Sequence, residues 1–322
     1  MSIAVSVPAK IHLLGEHAVV YGRPALLAAI DKRLFIRIQK SEFRIQNNKK
    51  EKIIINTQGK DKLIQQAIDI FKKAFSITEL PLLEITITSQ IPKGRGLGSS
   101  AALSAATIGA LMKFTINLWD PNRINELAFK AEKIAHGNPS GADNSTVVFG
   151  GLIWFRREFE FLKSIWRLPV SSYQIPKFLL IDTGRPIEST REMVASVAKL
   201  YSNKKKVIEE TFGDQEKQTK RLLLALRTGN KKELTLAIQK GESNLEKLEV
   251  VGSLAQKLVR ELEKIGGAAK VCGGGGRKKG SGILLCYHQD PVKIKDIGSK
   301  YRLPVSPVKL GEEGIRIEKW DK

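Results

Sequence analysis

Polar and apolar residues alternate along 83–88, Leu-Glu-Ile-Thr-Ile-Thr, the period-two pattern of a strand with one buried face. Short apolar or alternating runs at 2–7, 34–39, 52–56, 147–155 and 177–181 predict further strands. Helical spacing of apolar positions predicts helices over 61–76 and 122–135, the second introduced by Asp120-Pro121. Small apolar residues over 101–111 predict a tightly packed helix. Residues 136–141, His-Gly-Asn-Pro-Ser-Gly, contain too many breakers to remain helical. The second half reads as helices at 188–202, 205–227, 230–247 and 252–264, then strands at 268–272, 282–287, 302–307 and 314–318. This mixed order predicts two α+β domains and not a regular doubly wound sheet. Polarity rises over 160–176, which sets the expected division at 1–170 and 171–322.

Composition narrows the class. The 322 residues, 42% of them hydrophobic, suffice for two cores. No run of about 18 apolar residues stands out, so no membrane span is expected. The first residues, Met-Ser-Ile-Ala-Val, lack the charged start of a secretory signal. Two cysteines, Cys272 and Cys286, are too few for a disulfide framework and fit a reducing, cytoplasmic setting. The net charge of +21 favours an anionic partner: a nucleotide, a phosphorylated metabolite, nucleic acid or a membrane surface. The cations are spread along the chain, and no RNA-recognition or zinc-finger pattern accompanies them, so charge alone does not choose.

Chemistry concentrates in three stretches. Residues 91–102, Ile-Pro-Lys-Gly-Arg-Gly-Leu-Gly-Ser-Ser-Ala-Ala, lie between the alternating strand and the small-residue helix. Gly94, Gly96 and Gly98 let backbone approach a ligand, and the helix start offers unpaired N–H groups, which together make a phosphate cradle. Ser99 and Ser100 add hydroxyls that could cap the helix or ligate a phosphate-bound metal. The loop has neither a Gly-Lys-Ser/Thr ending nor dinucleotide glycine spacing, so a third type of phosphate loop is needed. Upstream, Lys10 follows a strand and can give a fixed positive charge to a hydroxyl or phosphate; Glu16 and His17 can bond a polyhydroxylated or carboxylated substrate. His12 reads as structural. Glu132 and Asp143 flank the breaker-rich turn and can converge on one pocket, Glu132 with Ser99 or Ser100 on magnesium and Asp143 taking a hydroxyl proton.

The order Pro-Ala-Lys, then Gly-Glu-His-Ala-Val-Val-Tyr-Gly at 15–22, then Gly-Leu-Gly-Ser-Ser-Ala-Ala at 96–102 and Glu132 ahead of 136–143 resembles the GHMP small-molecule kinases. Within them, the glutamate–histidine opening resembles the mevalonate kinases. Gly266-Gly267-Ala268-Ala269-Lys270, leading into 273–276, is similar to the family's glycine-rich C-terminal loop. The resemblance implies an N-terminal domain like domain 2 of ribosomal protein S5, a ferredoxin-like C-terminal domain, and a site in the cleft between them. It implies transfer of phosphate from ATP to mevalonate, with Lys10 and Asp143 at the reacting hydroxyl and Glu16, His17, Thr183 and Arg185 near the substrate. Lys93, Gly94, Arg95, Gly96, Leu97, Gly98, Ser99, Ser100 and Ala101 would hold ATP, Ser100 and Glu132 would bind Mg2+, and a homodimer is reasonable.

Two stretches depart from the family pattern. Arg277-Lys278-Lys279 lengthen the glycine loop with three cations that could touch nucleotide or substrate. Glu188 stands before Ser189-Thr190, where the family usually has an arginine for the substrate carboxylate, with Arg185 nearby instead. The alternatives are another GHMP kinase, acting on phosphomevalonate or a sugar, and a non-catalytic nucleic-acid binder; paired acids at Glu132 and Asp143 argue against the latter.

Overall fold

The computed structural model describes residues 2–41, 53–56, 62–137 and 139–319; Lys52, Asp61 and Asn138, which the expected strand, helix and turn would include, lie outside them. In chain order the first elements are β1 (Ser2–Leu14), a 3-10 turn (Ala18–Tyr21), β2 (Ala25–Lys40), β3 (Ile53–Asn56), α1 (Lys62–Ala74) and β4 (Leu83–Ser89). There follow α2 (Ser99–Ile116), α3 (Pro121–His136), α4 (Ala142–Phe149), β5 (Leu152–Arg157) and β6 (Lys163–Leu168). The rest comprises β7 (Phe178–Asp182), α5 (Thr190–Asn203), α6 (Lys205–Thr228), α7 (Lys231–Lys247), α8 (Ser253–Lys264), β8 (Ala268–Val271), β9 (Ile283–Tyr287), α9 (Pro291–Lys300), β10 (Val305–Val308) and β11 (Arg316–Glu318).

These strands form two sheets. The first is seven-stranded, ordered β11-β1-β2-β4-β3, with β5 pairing the start of β2 and β6 pairing β5. The second is antiparallel, ordered β10-β7-β9-β8. Helices α2 and α4 pack on the first sheet, α1 and α3 pack against α2 and each other, and α7, α8 and α9 contact strands of the second. The fold is α+β with two sheets, each with its own helices.

β1 is longer than the alternation at 2–7 implied, running through the motif to Leu14 and buried along nearly its whole length. Its register against β2 slips at Pro8/Ala9 and again at His12/Leu14. Such bulges re-aim side chains, and these two bracket Lys10. β2 likewise begins at Ala25, because its alanine-rich first half is covered on both faces and need not alternate.

Three further elements differ from expectation. Residues 147–149, expected to begin a strand, instead complete the helix over 142–149: Ser145 and Thr146 hydroxyls donate back to the carbonyls of Gly141 and Ala142, and burial overrides the β-branched residues. α9 and β6 were not anticipated, although α9 opens on an Asp290 cap and Pro291, the same signal that marks α3 at Asp120-Pro121. α2 is an 18-residue helix of mean hydropathy 1.2, long and apolar enough to span a membrane by composition alone, yet it lies mostly buried as the core helix of the first sheet.

The closing strand returns to the first sheet, so the chain end from β11 sits beside β1 and apart from the second sheet. Arg33 on β2 secures this return. Its Nε donates to Ser6 Oγ at 2.8 Å, Nη1 to the Glu313 carbonyl at 2.8 Å, and Nη2 to the carbonyls of Gly314 at 2.8 Å and Ser6 at 3.2 Å. Replacing Arg33 by Met strands these buried acceptors, and we expect a loss of about 3 kcal/mol of stability, read as a lower urea midpoint with an unchanged slope.

Candidate active site

The cleft forms where the loop after β4 meets both halves of the protein. On one side, Lys10 N donates to the Leu97 carbonyl at 3.1 Å. On the other, Ile283 N at the start of β9 donates to the Arg95 carbonyl at 3.2 Å, and the Arg95 guanidinium pairs with Asp182. Gly94, Gly96 and Gly98 all have left-handed φ, near 69°, 85° and 75°. Each faces a different wall. A Cβ would stand 2.9 Å from Arg185 Nε at Gly94, 2.2 Å from the Cys272 carbonyl at Gly96, and 2.8 Å from Lys10 Cγ at Gly98. Gly98 is also the residue before α2, with no side-chain cap, so the N–H groups of Ser99, Ser100 and Ala101 are left for a ligand.

The loop, β1, the turn before α4, the segment leading into α5 and the loop after β8 together enclose a cavity of about 360 Å³. Lys10, 1% exposed, meets Asp143 Oδ2 at 3.0 Å and His12 Nδ1 at 3.1 Å. Burial and the neighbouring ammonium groups of Lys10 and Lys270 push the His12 imidazole well below its ordinary pKa, so it is neutral and accepts from Lys10. Burial likewise lowers His17 to about 4; its Nε2 lies 3.2 Å from the Gly274 carbonyl, to which the neutral ring donates. Burial, and next the proximity of Asp143, raise Glu132 to about 8. Two carboxylates in one shielded pocket, beside the Ser99 and Ser100 hydroxyls, make a hard-oxygen set that suits a divalent cation. Among the described residues no group of three or more His, Cys, Asp or Glu gathers as a metal site here or elsewhere, so the set is two carboxylates with serine hydroxyls.

Behind this wall is a buried ion pair. Lys270 on β8 is wholly enclosed and pairs with Glu16, while its other hydrogens go to the carbonyls of His12 at 3.1 Å and Val271 at 2.7 Å. Burial works against the ammonium, but Glu16 beside it outweighs that and leaves the Lys270 pKa above the ordinary lysine range. Glu16 keeps one oxygen, Oε2, without a partner.

Comparison with known proteins bears on this arrangement. Residues 62–151 match the family described as GHMP kinases N terminal domain. The mevalonate kinase of Archaeoglobus fulgidus is 34% identical over 319 residues, covering 97% of this chain and 99% of that one. The mevalonate kinase of Pyrococcus abyssi is 30% identical over 98% of both. The chain belongs to the mevalonate kinase family. The crystal structure of the Methanococcus jannaschii mevalonate kinase superposes with a TM-score of 0.76, over 96% of this chain and 98% of that one, at 23% identity. The α+β architecture with two sheets is therefore the GHMP kinase fold.

Within this mevalonate kinase fold the structure brings together Lys10, Glu16, His17, Gly94, Arg95, Gly96, Gly98, Ser99, Ser100, Ala101, Glu132, Asp143 and Arg185 on one cavity wall. Lys93, Leu97 and Thr183 are not part of that lining. Lys93 is exposed, and Leu97 turns into the core with only its carbonyl engaged on Lys10. Thr183 is buried with its hydroxyl donating to the Gly282 carbonyl at 2.7 Å and accepting from Ser281 N at 2.9 Å, so it fastens the glycine-rich loop. Arg277, Lys278 and Lys279 also stand outside the cavity, with Arg277 3.8 Å from Glu249. Conversely, His12, read as structural, lines the cleft, and so does Arg191. His12 lies two residues past Lys10 on one strand, hence on the same face, which was a usable signal.

Two outcomes test this geometry. Gly96→Ala combines a left-handed backbone with a clash on the Cys272 carbonyl, costing about 1–3 kcal/mol; calorimetry should show binding of a non-hydrolysable ATP analogue weakened at least tenfold. Gly213→Ala on α6, where a Cβ meets nothing within 4 Å, should instead raise the melting temperature slightly. The second outcome concerns pH. His12 and His17 are neutral when folded but protonate near the ordinary 6.5 when unfolded, so stability is full above 6.5 and falls as pH drops toward 4. Urea midpoints at pH 7 and pH 5 should differ less in His17→Gln than in the unaltered protein.

Proposed function

We propose that this protein transfers the γ-phosphoryl group of ATP to the primary hydroxyl of mevalonate, yielding 5-phosphomevalonate and ADP. The observation that carries the reading is the Lys10–Asp143 pair at 3.0 Å, at the mouth of a helix-start phosphate loop, in a chain matched end to end by mevalonate kinases.

ATP lies with its phosphates on the N–H groups of Gly96, Gly98, Ser99, Ser100 and Ala101, where the α2 start favours negative charge. The Ser100 or Ser99 hydroxyl and Glu132 would hold Mg2+, which would supply neutralisation of phosphate charge. The acceptor enters past Glu16 and His17, and its hydroxyl lies between Lys10 and Asp143. That oxygen bonds to the γ-phosphorus as the bond to the ADP oxygen breaks. Asp143 accepts the hydroxyl proton, and Lys10 stabilises the charge developing on the transferring group. His12, uncharged, orients the Lys10 ammonium without competing for it. The two domains are residues 1–170, which carry Lys10 and Asp143, and residues 171–322, whose strand β11 joins the first sheet, and the enzyme acts as a homodimer.

A coupled ADP-release assay should show turnover with mevalonate and little with 5-phosphomevalonate or galactose; absence of turnover with mevalonate would reject the assignment. Asp143→Asn should lower kcat by about 10²–10⁴ with ATP binding retained. A variant turning over at the unaltered rate would remove Asp143 from its role.

A further inference from the structure

Lys270 lies on β8, an edge strand of the second sheet, and its side chain is wholly enclosed. β8 alternates between two cores. Ala269 and Val271 belong to the core of the second sheet, whereas Ala268, and Cys272 just after the strand, join the core that the first sheet shares. Lys270 stands between these last two and so points toward the first sheet. An ammonium in such a place is tolerated only with its hydrogens engaged. Its three acceptors are Glu16, the His12 carbonyl at 3.1 Å and the Val271 carbonyl at 2.7 Å.

Two of those acceptors come from the first half of the chain, His12 on β1 and Glu16 just after it, so the lysine bridges the two sheets behind the cleft wall. Glu242 on α7 is a second enclosed acid nearby. It accepts from Val271 N at 2.9 Å, and burial pushes it up to about 8, so at neutral pH it is mostly protonated and leaves the ammonium to Glu16. A buried ion pair adds little stability over apolar residues of the same bulk, so stability alone does not explain a lysine here. Glu16 lines the cavity; its Oε1 is taken by Lys270, while Oε2 is buried with no partner among the described residues. An enclosed carboxyl oxygen without a donor is costly, and a ligand hydroxyl would satisfy it.

We propose that Lys270 is a positioning residue for mevalonate: from the second sheet it holds the Glu16 carboxyl in one orientation, with Oε1 occupied and Oε2 presented to a hydroxyl of the bound substrate. Lys270 itself is outside the cavity lining and touches neither substrate. Tied to carbonyls on β1 and β8 as well as to Glu16, its ammonium leaves that carboxyl little freedom to turn away. The mevalonate end of the cleft is therefore complete only while Lys270 spans the two sheets. The phosphate loop meets the second sheet separately, through Arg95 and Asp182. The inference rests on the phosphotransfer reading and adds to it a residue that acts through Glu16.

Steady-state kinetics on a double-mutant cycle test this role. Lys270→Met keeps the length of the side chain and removes the ammonium; it should raise KM for mevalonate about tenfold or more, the loss of a hydrogen bond to a charged group. KM for ATP should stay within about twofold. In a Glu16→Gln background, where the carboxylate to be oriented is gone, Lys270→Met should change KM for mevalonate by no more than about twofold. A purely structural ion pair would lower the urea midpoint and leave both Michaelis constants alone, and that result overturns the proposal. So does an equal rise in KM for mevalonate in the two backgrounds, or a matching rise in KM for ATP. Should Lys270→Met not fold, Lys270→Gln, which keeps a donor for the His12 carbonyl, is read the same way; loss of the fold in both shows a structural role and also overturns it. Unaltered enzyme that fails on mevalonate would instead sink the underlying kinase reading, a different result from the same assay.

Discussion

The cleft depends on a close approach of backbones at Gly96. Its Cα side faces the Cys272 carbonyl, and a Cβ on Gly273 would in turn stand 2.9 Å from the Gly96 carbonyl. Neither position has room for a side chain, and both lie in left-handed conformations. Through this contact the phosphate loop of the first sheet and the glycine loop of the second share one wall. Pairing of Arg95 with Asp182 and of Ile283 N with the Arg95 carbonyl ties the loop to the second sheet. Lys10 N on the Leu97 carbonyl ties it to the first. The helix start therefore opens onto a fixed space.

Charge is arranged around that space in a consistent way. Lys10 and Lys270 are both nearly inaccessible, and each has its own carboxylate, Asp143 and Glu16. Enclosed charges of this kind persist only when paired and hydrogen-bonded. Burial keeps both histidines neutral, and at His12 the adjacent Lys10 and Lys270 ammonium groups also oppose a further positive charge. Glu132, held near Asp143 away from water, is a carboxylate whose ionised form calls for a cation from outside. The protein thus carries a preset pattern of charge that a nucleotide and a hydroxyl acid complete.

Much of the fold could be read along the chain. Helices α5 to α8 carry long apolar stripes, and their bounds fall within two residues of those the spacing implies. The short-range signals for the phosphate loop and the α3 start were equally direct, because a turn or a cap is made by residues adjacent in sequence. Local reading failed where surroundings decide. Residues 147–149 have strand-type side chains but complete a helix enclosed by neighbours, and the alanines of β2 show no alternation because both faces are covered.

What the sequence determined by itself is the inventory: a glycine-rich helix start, a lysine near residue 10, two acids around a proline turn, and the family to which that order belongs. These are local or ordered features, and their chemistry is written in residue type and spacing. Only the tertiary structure decided which of these groups meet. It placed Asp143 against Lys10 and Lys270 beneath Glu16, while drawing Thr183, Leu97 and Arg277 away from the cleft. The reason is that each of these pairings joins segments far apart in the chain or depends on where a bulge turns a side chain. Sequence spacing carries no record of either until the sheets close on one another.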